Sequence, residues 1–279
     1  MANRSPPAGV RTGPADAAVL ADFWRSAWRA ALLPIAVLAL WSALTDGGFV
    51  PKYILPSPGR VLHAGWEFMV GGAAAEAYSG SFLKHFWASF QRVLAGFAIG
   101  SGLGIPLGVI LGYHAGLARF IEPTLQLTRS IPGICWLPLA LIWFGIGNPS
   151  SIFLISLGSF YAVFIATLQG VKYVDPLLLR AARSLGASER SLLYTVVLPA
   201  AFPAILSGLR IGLAYSWIYM VLGEFTGVNT GLGATLLQSR ETLNTELIMA
   251  LMIIIGCLGV LTDWPMLVVM RKVFRMDVR

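Results

Sequence analysis

Charge is what this sequence has least of. Of its 279 residues only 12% are charged, against 57% that are hydrophobic. Soluble domains carry about 25% charged residues, so a water-solvated globule is excluded and a chain with several membrane spans is implied. Cysteine is scarce as well. Cys135 and Cys257 both sit inside apolar stretches and read as small hydrophobes, with no disulfide or metal framework to be made from them. The three histidines, His63, His85 and His114, are too scattered for a metal site. There is no Gly-x4-Gly-Lys-Ser/Thr loop, no paired carboxylates and no Gly-x-Ser-x-Gly elbow, so the chain itself is not expected to hydrolyse ATP or to act as an enzyme.

The charge that is present is unevenly placed. Twenty Lys and Arg face thirteen Asp and Glu, a net charge of +7. If the apolar blocks are spans and both termini are cytoplasmic, thirteen of the 20 cations fall inside: Arg4, Arg11, Arg25, Arg29, Arg119, Lys172, Arg180, Arg183, Arg190, Arg271, Lys272, Arg275 and Arg279. Lys52, Arg60, Lys84 and Arg240 fall outside, and Arg92, Arg129 and Arg210 lie near or within spans. This is the positive-inside pattern, which assigns the excess charge to topology and anionic lipid rather than to nucleic acid. Because 29 mostly polar residues precede the first apolar block and Arg29 abuts it, a retained span is expected rather than a cleaved signal peptide.

Taken in order, residues 1–29 form an N-terminal segment, Ala-, Pro- and Gly-rich and then amphipathic around Phe23, Trp24 and Trp28. Residues 30–80 hold a short first span, Ala30 to Leu44, and a turn-rich outer segment with Leu55-Pro56-Ser57-Pro58 and a helix-like run from Val61 to Met69. In the second span, Phe90 to Tyr113, Gly96, Gly100, Gly104, Gly108 and Gly112 recur every four residues, with Gly116 in the same register. Small residues at that interval let another helix approach closely where no hydrophobic drive operates between helices; Pro106 is expected to kink the span. The third, Thr124 to Ile146, contains Pro132 and Pro138 and carries Trp136 and Trp143, so a doubly broken helix lining a pathway is expected. The fourth, Ser151 to Gly170, carries Ser156, Ser159, Thr167 and Gln169, suited to hydrogen bonds between helices or to a pathway. The fifth and sixth run from Ala204 to Thr226 and from Leu247 to Met270, with turn-rich Gly227 to Glu246 between them. About six transmembrane helices in an all-α polytopic membrane protein are expected.

Charges inside spans cost about 2.5 to 3.5 kcal/mol at mid-membrane, so each needs a reason. Glu224 and Asp263 are the acids; a gating or helix-pairing role suits Glu224. Arg129 and Arg210 are expected a turn or two from the cytoplasmic edge, where snorkelling competes with a substrate role.

Residues 175–203 are the longest charged, helix-favouring passage between apolar blocks. Asp175 and Pro176 suit a helix start, Leu177, Leu178, Ala181, Ala182 and Leu185 make an apolar stripe, and Gly186 stops the helix in a left-handed turn. Ser188 can cap a second helix carrying Leu192, Leu193, Val196 and Val197, with Pro199 and Pro203 marking its end. Such a knuckle, apolar on one face and basic through Arg180, Arg183 and Arg190 on the other, suits a groove on a partner; it equally suits the membrane surface.

Arg180-Ala181-Ala182, Gly186-Ala187-Ser188 and Leu198-Pro199 resemble, in residues and spacing, the Glu-Ala-Ala loop of the membrane-spanning subunits of ATP-binding-cassette importers. One departure is that Arg180 stands where the family has Glu. Glu224 followed by Gly231-Leu232-Gly233 also looks like the family pattern. Leu55-Pro56-Ser57-Pro58 and Trp143-Phe144-Gly145-Ile146-Gly147 resemble the nitrate, sulfonate, taurine and bicarbonate branch. The resemblance implies a type I importer permease core over residues 81–279, with 175–203 as the coupling helix, in a bacterial inner membrane. It implies two ATPase subunits that hold ATP and magnesium, a second permease copy making a homodimer, and a soluble substrate-binding protein; the chain itself would bind no cofactor. Arg129, Pro132, Trp136, Trp143 and Glu224 are then the candidates for pathway or gate. A secondary carrier, with its broken helices, a membrane scaffold, and an importer of a neutral or cationic nutrient such as a pyrimidine precursor are the rival readings.

Overall fold

The computed structural model describes residues 32–51, 53–71 and 78–274. The N-terminal segment with Trp24 and Trp28, and Arg275 and Arg279 of the expected cytoplasmic charge, lie outside the described residues, as do the side chains of Arg271 and Lys272. Among the described residues all regular structure is helical. The chain divides into two units, residues 1–61 and 62–279. In the first, α1 (Leu32–Asp46) is apolar but only 15 residues long, and Trp41 at its outer end donates its indole N–H to the Pro56 carbonyl at 3.0 Å. Helix α2 (Pro58–Val70) begins at the last proline of Leu-Pro-Ser-Pro, the preferred place for proline in a helix.

The second unit is built on α3 (Phe82–Tyr113), α6 (Asn148–Lys172), α9 (Leu198–Glu224) and α11 (Thr245–Phe274). Each of these belongs to a helix long and apolar enough to cross a membrane, and α9 continues a helical run that begins at Glu189. Between α3 and α6 stand α4 (Ala115–Arg129), a 3₁₀ turn (Gly133–Trp136) and α5 (Leu137–Phe144), which qualify as one further span bent by 93°. With α1, these are six apolar segments. The third is therefore not one helix over 124–146: it starts at Ala115 and breaks once, at Ser130 to Pro132. Pro132 lacks the N–H a continuing helix would use, whereas Pro138 sits in the first turn of α5, where no N–H is missed. Pro106 lies inside α3 without ending it.

Helices α3 and α6 run side by side in the same direction, and α9 runs against them. The four-residue glycine register sets the first pairing: Gly96 lies against Ile155, Gly100 against Ser159, Gly104 against Val163 and Phe164, Gly108 against Thr167 and Gly112 against Val171. A methyl group on Gly108 would stand 2.7 Å from Thr167 Cβ and 2.9 Å from the Phe164 carbonyl oxygen. Gly116 is not part of the stripe, because α3 ends at Tyr113 and a Cβ there would meet open space. The second pairing uses an adjoining side of α6, where Gly212 and Gly208 of α9 meet Val163 and Ala166, Gly223 meets Ser151, and Gly170 receives Ala201 and Ala204. Helix α6 is thus wedged between two neighbours that share Val163. Of its polar residues, Ser159 donates to the Gly96 carbonyl at 3.3 Å across the α3 contact, and Thr167 is buried beneath Gly108.

Two sequence boundaries shift. Pro199 and Pro203 do not end a short helix; a π turn at Leu193–Val197 leads into α9, with Pro199 in its first turn and Pro203 inside it, and the chain runs on helically through both. Residues 227–246 are not simply turns, since α10 (Leu232–Glu241) forms there and buries Leu232, Ala234 and Thr235.

Replacing Gly108 with Leu should overpack the α3–α6 seam and cost about 1–3 kcal/mol, while Gly102→Ala, facing open space, should leave stability unchanged or slightly raised. Thermal unfolding of the purified protein in detergent checks this, and equal melting of Gly108→Leu and wild type would remove the glycine register as the cause of the packing.

Candidate functional site

Three regions of the second unit carry polar or exposed chemistry. The first is a buried polar lock where α3 begins and α9 ends. The Glu224 carboxylate is fully buried. One oxygen accepts from Arg92 Nη1 at 2.6 Å and Ser89 Oγ at 2.7 Å, the other from the Gly233 and Ala234 amides at 2.8 and 3.3 Å. These amides are orphan donors of the first turn of α10, so the carboxylate caps that helix and meets its positive end. Arg92 also donates to Asn148 Oδ1 and to the Thr230 carbonyl, both at 2.7 Å, binding α3 to the start of α6 and the α9–α10 turn. His85 Nδ1 accepts from the Gly231 amide at 3.1 Å, and Leu232 N–H donates to Ser89 Oγ at 2.8 Å. Gly231, with φ +145°, is required: a Cβ there would press on the Glu224 carboxylate. That gives the run of Glu224 and Gly231-Leu232-Gly233 a physical meaning.

The second region is an open cavity of about 360 Å³ in the membrane-spanning part. Arg129, Trp136, Tyr161, Gln169, Tyr215 and Tyr219 supply its polar and aromatic groups, and Ile131, Ile165 and Ile211 its apolar wall. Residues 211, 215 and 219 stand one turn apart on α9, as do 161, 165 and 169 on α6. The ring of Tyr219 fits between Gly158 and Gly133, whose added Cβ atoms would come within 2.6 Å and 2.5 Å of it, and so holds the 3₁₀ turn against α6. Tyr161 donates to Thr128 Oγ1 at 2.8 Å. That bond sets the end of α4, and with it Arg129, level with the middle of α6. Arg210, beside Gly208 and Gly212 on α9, forms a two-pronged pair with Asp263 at 2.6 and 2.7 Å, joining α9 to α11. Of the five pathway candidates, the cavity unites Arg129 and Trp136. Trp143 packs on Phe144 and Phe153, Pro132 caps the 3₁₀ turn, and Glu224 belongs to the lock. The phenols were missed by sequence reasoning, although the four-residue interval from Tyr215 to Tyr219 was a readable signal.

The third region is the knuckle. Asp175 accepts from the Leu177 amide at 2.7 Å and starts α7 (Pro176–Ser184); Gly186 at φ +84° ends it, with its amide on the Arg183 carbonyl. Ser188 caps the Ser191 amide at 3.3 Å and opens α8 (Glu189–Leu192). The knuckle is anchored by Leu192, Val197 and Val174, which are buried, and by Leu179 and Leu193, which pack with them on Val171, Ala201 and Ile205. Tyr113 at the end of α3 hydrogen-bonds the Glu189 carboxylate, which Arg183 also meets at 3.3 Å. The stripe read from the sequence points away from this anchor. Leu177 is 65% and Leu185 90% exposed, and Arg180, Ala181, Ser188 and Pro199 are exposed as well, with Ala182, Ala187 and Leu198 half-buried.

A family described as binding-protein-dependent transport system inner membrane component matches residues 104–275. The chain belongs to this family. Its relatives among importer permeases include the aliphatic sulfonates transport permease protein SsuC of Bacillus subtilis, 32% identical over 88% of this chain and 86% of that one. The taurine transport system permease protein TauC of Escherichia coli is 33% identical over 85% of each. The fold is that of a permease in the inward-facing MetNI methionine ABC transporter, with a TM-score of 0.60 at 22% identity, over 67% of this chain and 93% of that one. These likenesses agree with the all-α importer permease expected from the sequence, and place the chain among membrane transport components rather than enzymes.

Removing the Glu224 carboxylate (Glu224→Ala) should leave Arg92 charged and buried, at a cost of about 3–5 kcal/mol. The double variant Arg92→Met, Glu224→Ala should cost less than the sum of its single changes. Thermal unfolding in detergent reads both, and strict additivity would mean that the pair is not coupled.

Proposed function

We propose that this chain is the membrane-spanning subunit of an ATP-driven importer for a small organic or inorganic anion such as a sulfonate, taurine or nitrate. The observation that carries the reading is the knuckle: a capped helix, anchored by buried Leu192 and Val197, that turns Leu177, Leu178 and Leu185 to the outside. Exposed leucines on an anchored, glycine-terminated turn have the character of an interface, and the matching of 175–203 to the importer coupling loop names the partner as an ATPase. The sulfonate and taurine relatives supply the substrate class.

In this reading two ATPase subunits hold ATP and magnesium and grip the knuckles of two permease copies. The second copy closes the cavity that is open in one chain. A soluble binding protein delivers substrate to the face bearing the Glu224 lock, and the knuckle, with both termini, lies in the cytoplasm of a bacterial cell. Closure of the ATPases draws the knuckles together. The helices then exchange between an inward- and an outward-open packing, a shift between two states carried by a rigid element. Arg180, in place of the family Glu, exchanges one acidic contact with the ATPase for a basic one.

Leu185→Asp should leave the chain folded, because that side chain touches water, yet abolish co-purification with the ATPase and ATP-dependent uptake. Retained co-purification would remove the knuckle as the docking site. For the substrate, thermal melting of the partner binding protein is measured with taurine, alkyl sulfonates, nitrate and bicarbonate. A ligand at a hundred times its Kd should stabilise that protein by about 2.7 kcal/mol. A shift with a neutral or cationic nutrient alone would overturn the anion class.

A further inference from the structure

The arginine that lines the cavity has no opposite charge among the described residues. Arg92 is matched by Glu224, Arg210 by Asp263 and Lys172 by Glu122 at 2.5 Å, whereas Arg129 has no carboxylate partner among the described residues. Lining the same cavity are the phenols of Tyr161, Tyr215 and Tyr219, the amide of Gln169 and the indole of Trp136. Apart from Tyr161, whose hydroxyl already donates to Thr128, all of these can donate a hydrogen bond. A cationic group within a span costs up to about 2.5 to 3.5 kcal/mol, a cost that Arg92 and Arg210 offset with a carboxylate and Arg129 does not. An unmatched guanidinium among neutral donors is the arrangement that leaves room for an anion from outside the chain.

The walls narrow that anion further. A guanidinium offers a planar fork of N–H donors, which fits the oxygens of a sulfonate or a similar singly charged oxyanion. No acid lines the cavity to repel it, and none is present to favour a cation. The remaining walls are Ile131, Ile165, Ile211, Leu157 and the ring of Trp136. A volume of about 360 Å³ lies within the ordinary range of small-molecule sites, about 300 to 1,000 Å³. Nitrate or bicarbonate would reach the guanidinium and leave the apolar wall wet; an alkyl or aryl group behind the oxyanion would cover it.

We infer that the Arg129 cavity is a transit site for an organic oxyanion, an alkyl or aryl sulfonate above all, with Arg129 and Tyr215 holding the charged end and Trp136, Ile165 and Ile211 the carbon skeleton. This rests on the importer reading above and adds to it: the permease, besides its binding protein, selects for a ligand with an apolar part. The two walls belong to α6 and α9, so a change in their spacing would open or close the site.

The test uses the intact complex, with its ATPase and binding protein, in proteoliposomes, with radiolabelled butanesulfonate and nitrate as probes. Wild type is expected to take up butanesulfonate and little nitrate. Arg129→Gln should lower butanesulfonate uptake by at least about tenfold, the order of a lost hydrogen-bonded charge, while ATPase stimulation by the loaded binding protein stays within about twofold. Arg129→Lys should recover much of the loss, and Tyr215→Phe, which removes one hydroxyl, should show a smaller loss of the same kind. Undiminished uptake by Arg129→Gln overturns the site alone. Uptake and stimulated ATPase falling together in all three variants would make these residues structural and overturn it too. Wild-type uptake of nitrate without butanesulfonate removes the apolar requirement and leaves the anion reading standing; uptake of neither probe removes that reading and the site with it.

Discussion

The close approach of α3 to α6 is the constraint on which the rest of this structure hangs. In lipid there is no hydrophobic drive between helices, so backbones must come near enough for dispersion contacts and short hydrogen bonds to hold them. Five glycines at four-residue intervals on α3 allow that, and the residues they admit, from Ile155 to Val171, also recur every four residues on α6. Because α9 claims an adjoining side of α6 through glycines of its own, α6 has little freedom to turn. Its third side therefore presents Tyr161, Ile165 and Gln169 to the cavity in a fixed register.

The two ends of this three-helix unit are closed by different means. At one end the lock around Glu224 of α9 takes a buried charge pair and satisfies it almost completely, with donors from α3 and α10. Buried pairs are weak sources of stability but strict about geometry, since removing either member strands the other. At the other end the contacts are apolar: Val174, Leu179, Leu193 and Val197 fold the knuckle onto the ends of α6 and α9. An apolar anchor tolerates small displacements better than a network of hydrogen bonds does. Under the proposed reading this difference suits a part that must transmit motion at one end and stay sealed at the other.

Much of this was legible in the residues. The glycine register foretold the α3–α6 seam because its period is a property of the helix itself, and Asp175, Gly186 and Ser188 foretold the knuckle because caps act over three or four residues. What escaped was non-local. The partner of Glu224 lies 132 residues away in Arg92, and the level of Arg129 beside the middle of α6 follows from a bond between Tyr161 and Thr128 on different helices. Neither position is encoded by any run of neighbours. Pro199 and Pro203 misled for a related reason: Pro199 falls in the first turn of α9, just past the π turn at Leu193–Val197, where its missing N–H costs little, and Pro203 lies inside a helix that runs on through it. The need for a counter-charge could still have been reasoned forward. Two acids and three arginines near or within the spans called for pairs, and pairing them leaves one arginine over.

That surplus arginine and the knuckle are connected through a single helix. From the π turn onward the chain runs without a break to Glu224. The knuckle anchor, the cavity wall at Ile211, Tyr215 and Tyr219, and the carboxylate of the lock are thus three stations on one rod. A rod fixed at the Glu224 end by directional bonds and pushed at the knuckle end should swing rather than slide. The residues between those ends then move against α6, which is held by α3. A swing of this kind would move Tyr215 relative to Tyr161 and change the width of the cavity without disturbing the lock. The α6–α9 seam is tightly packed at Gly208 and Gly212, close to the cavity. The glycines that make the seam close are then also what lets a small movement at the knuckle reach the site.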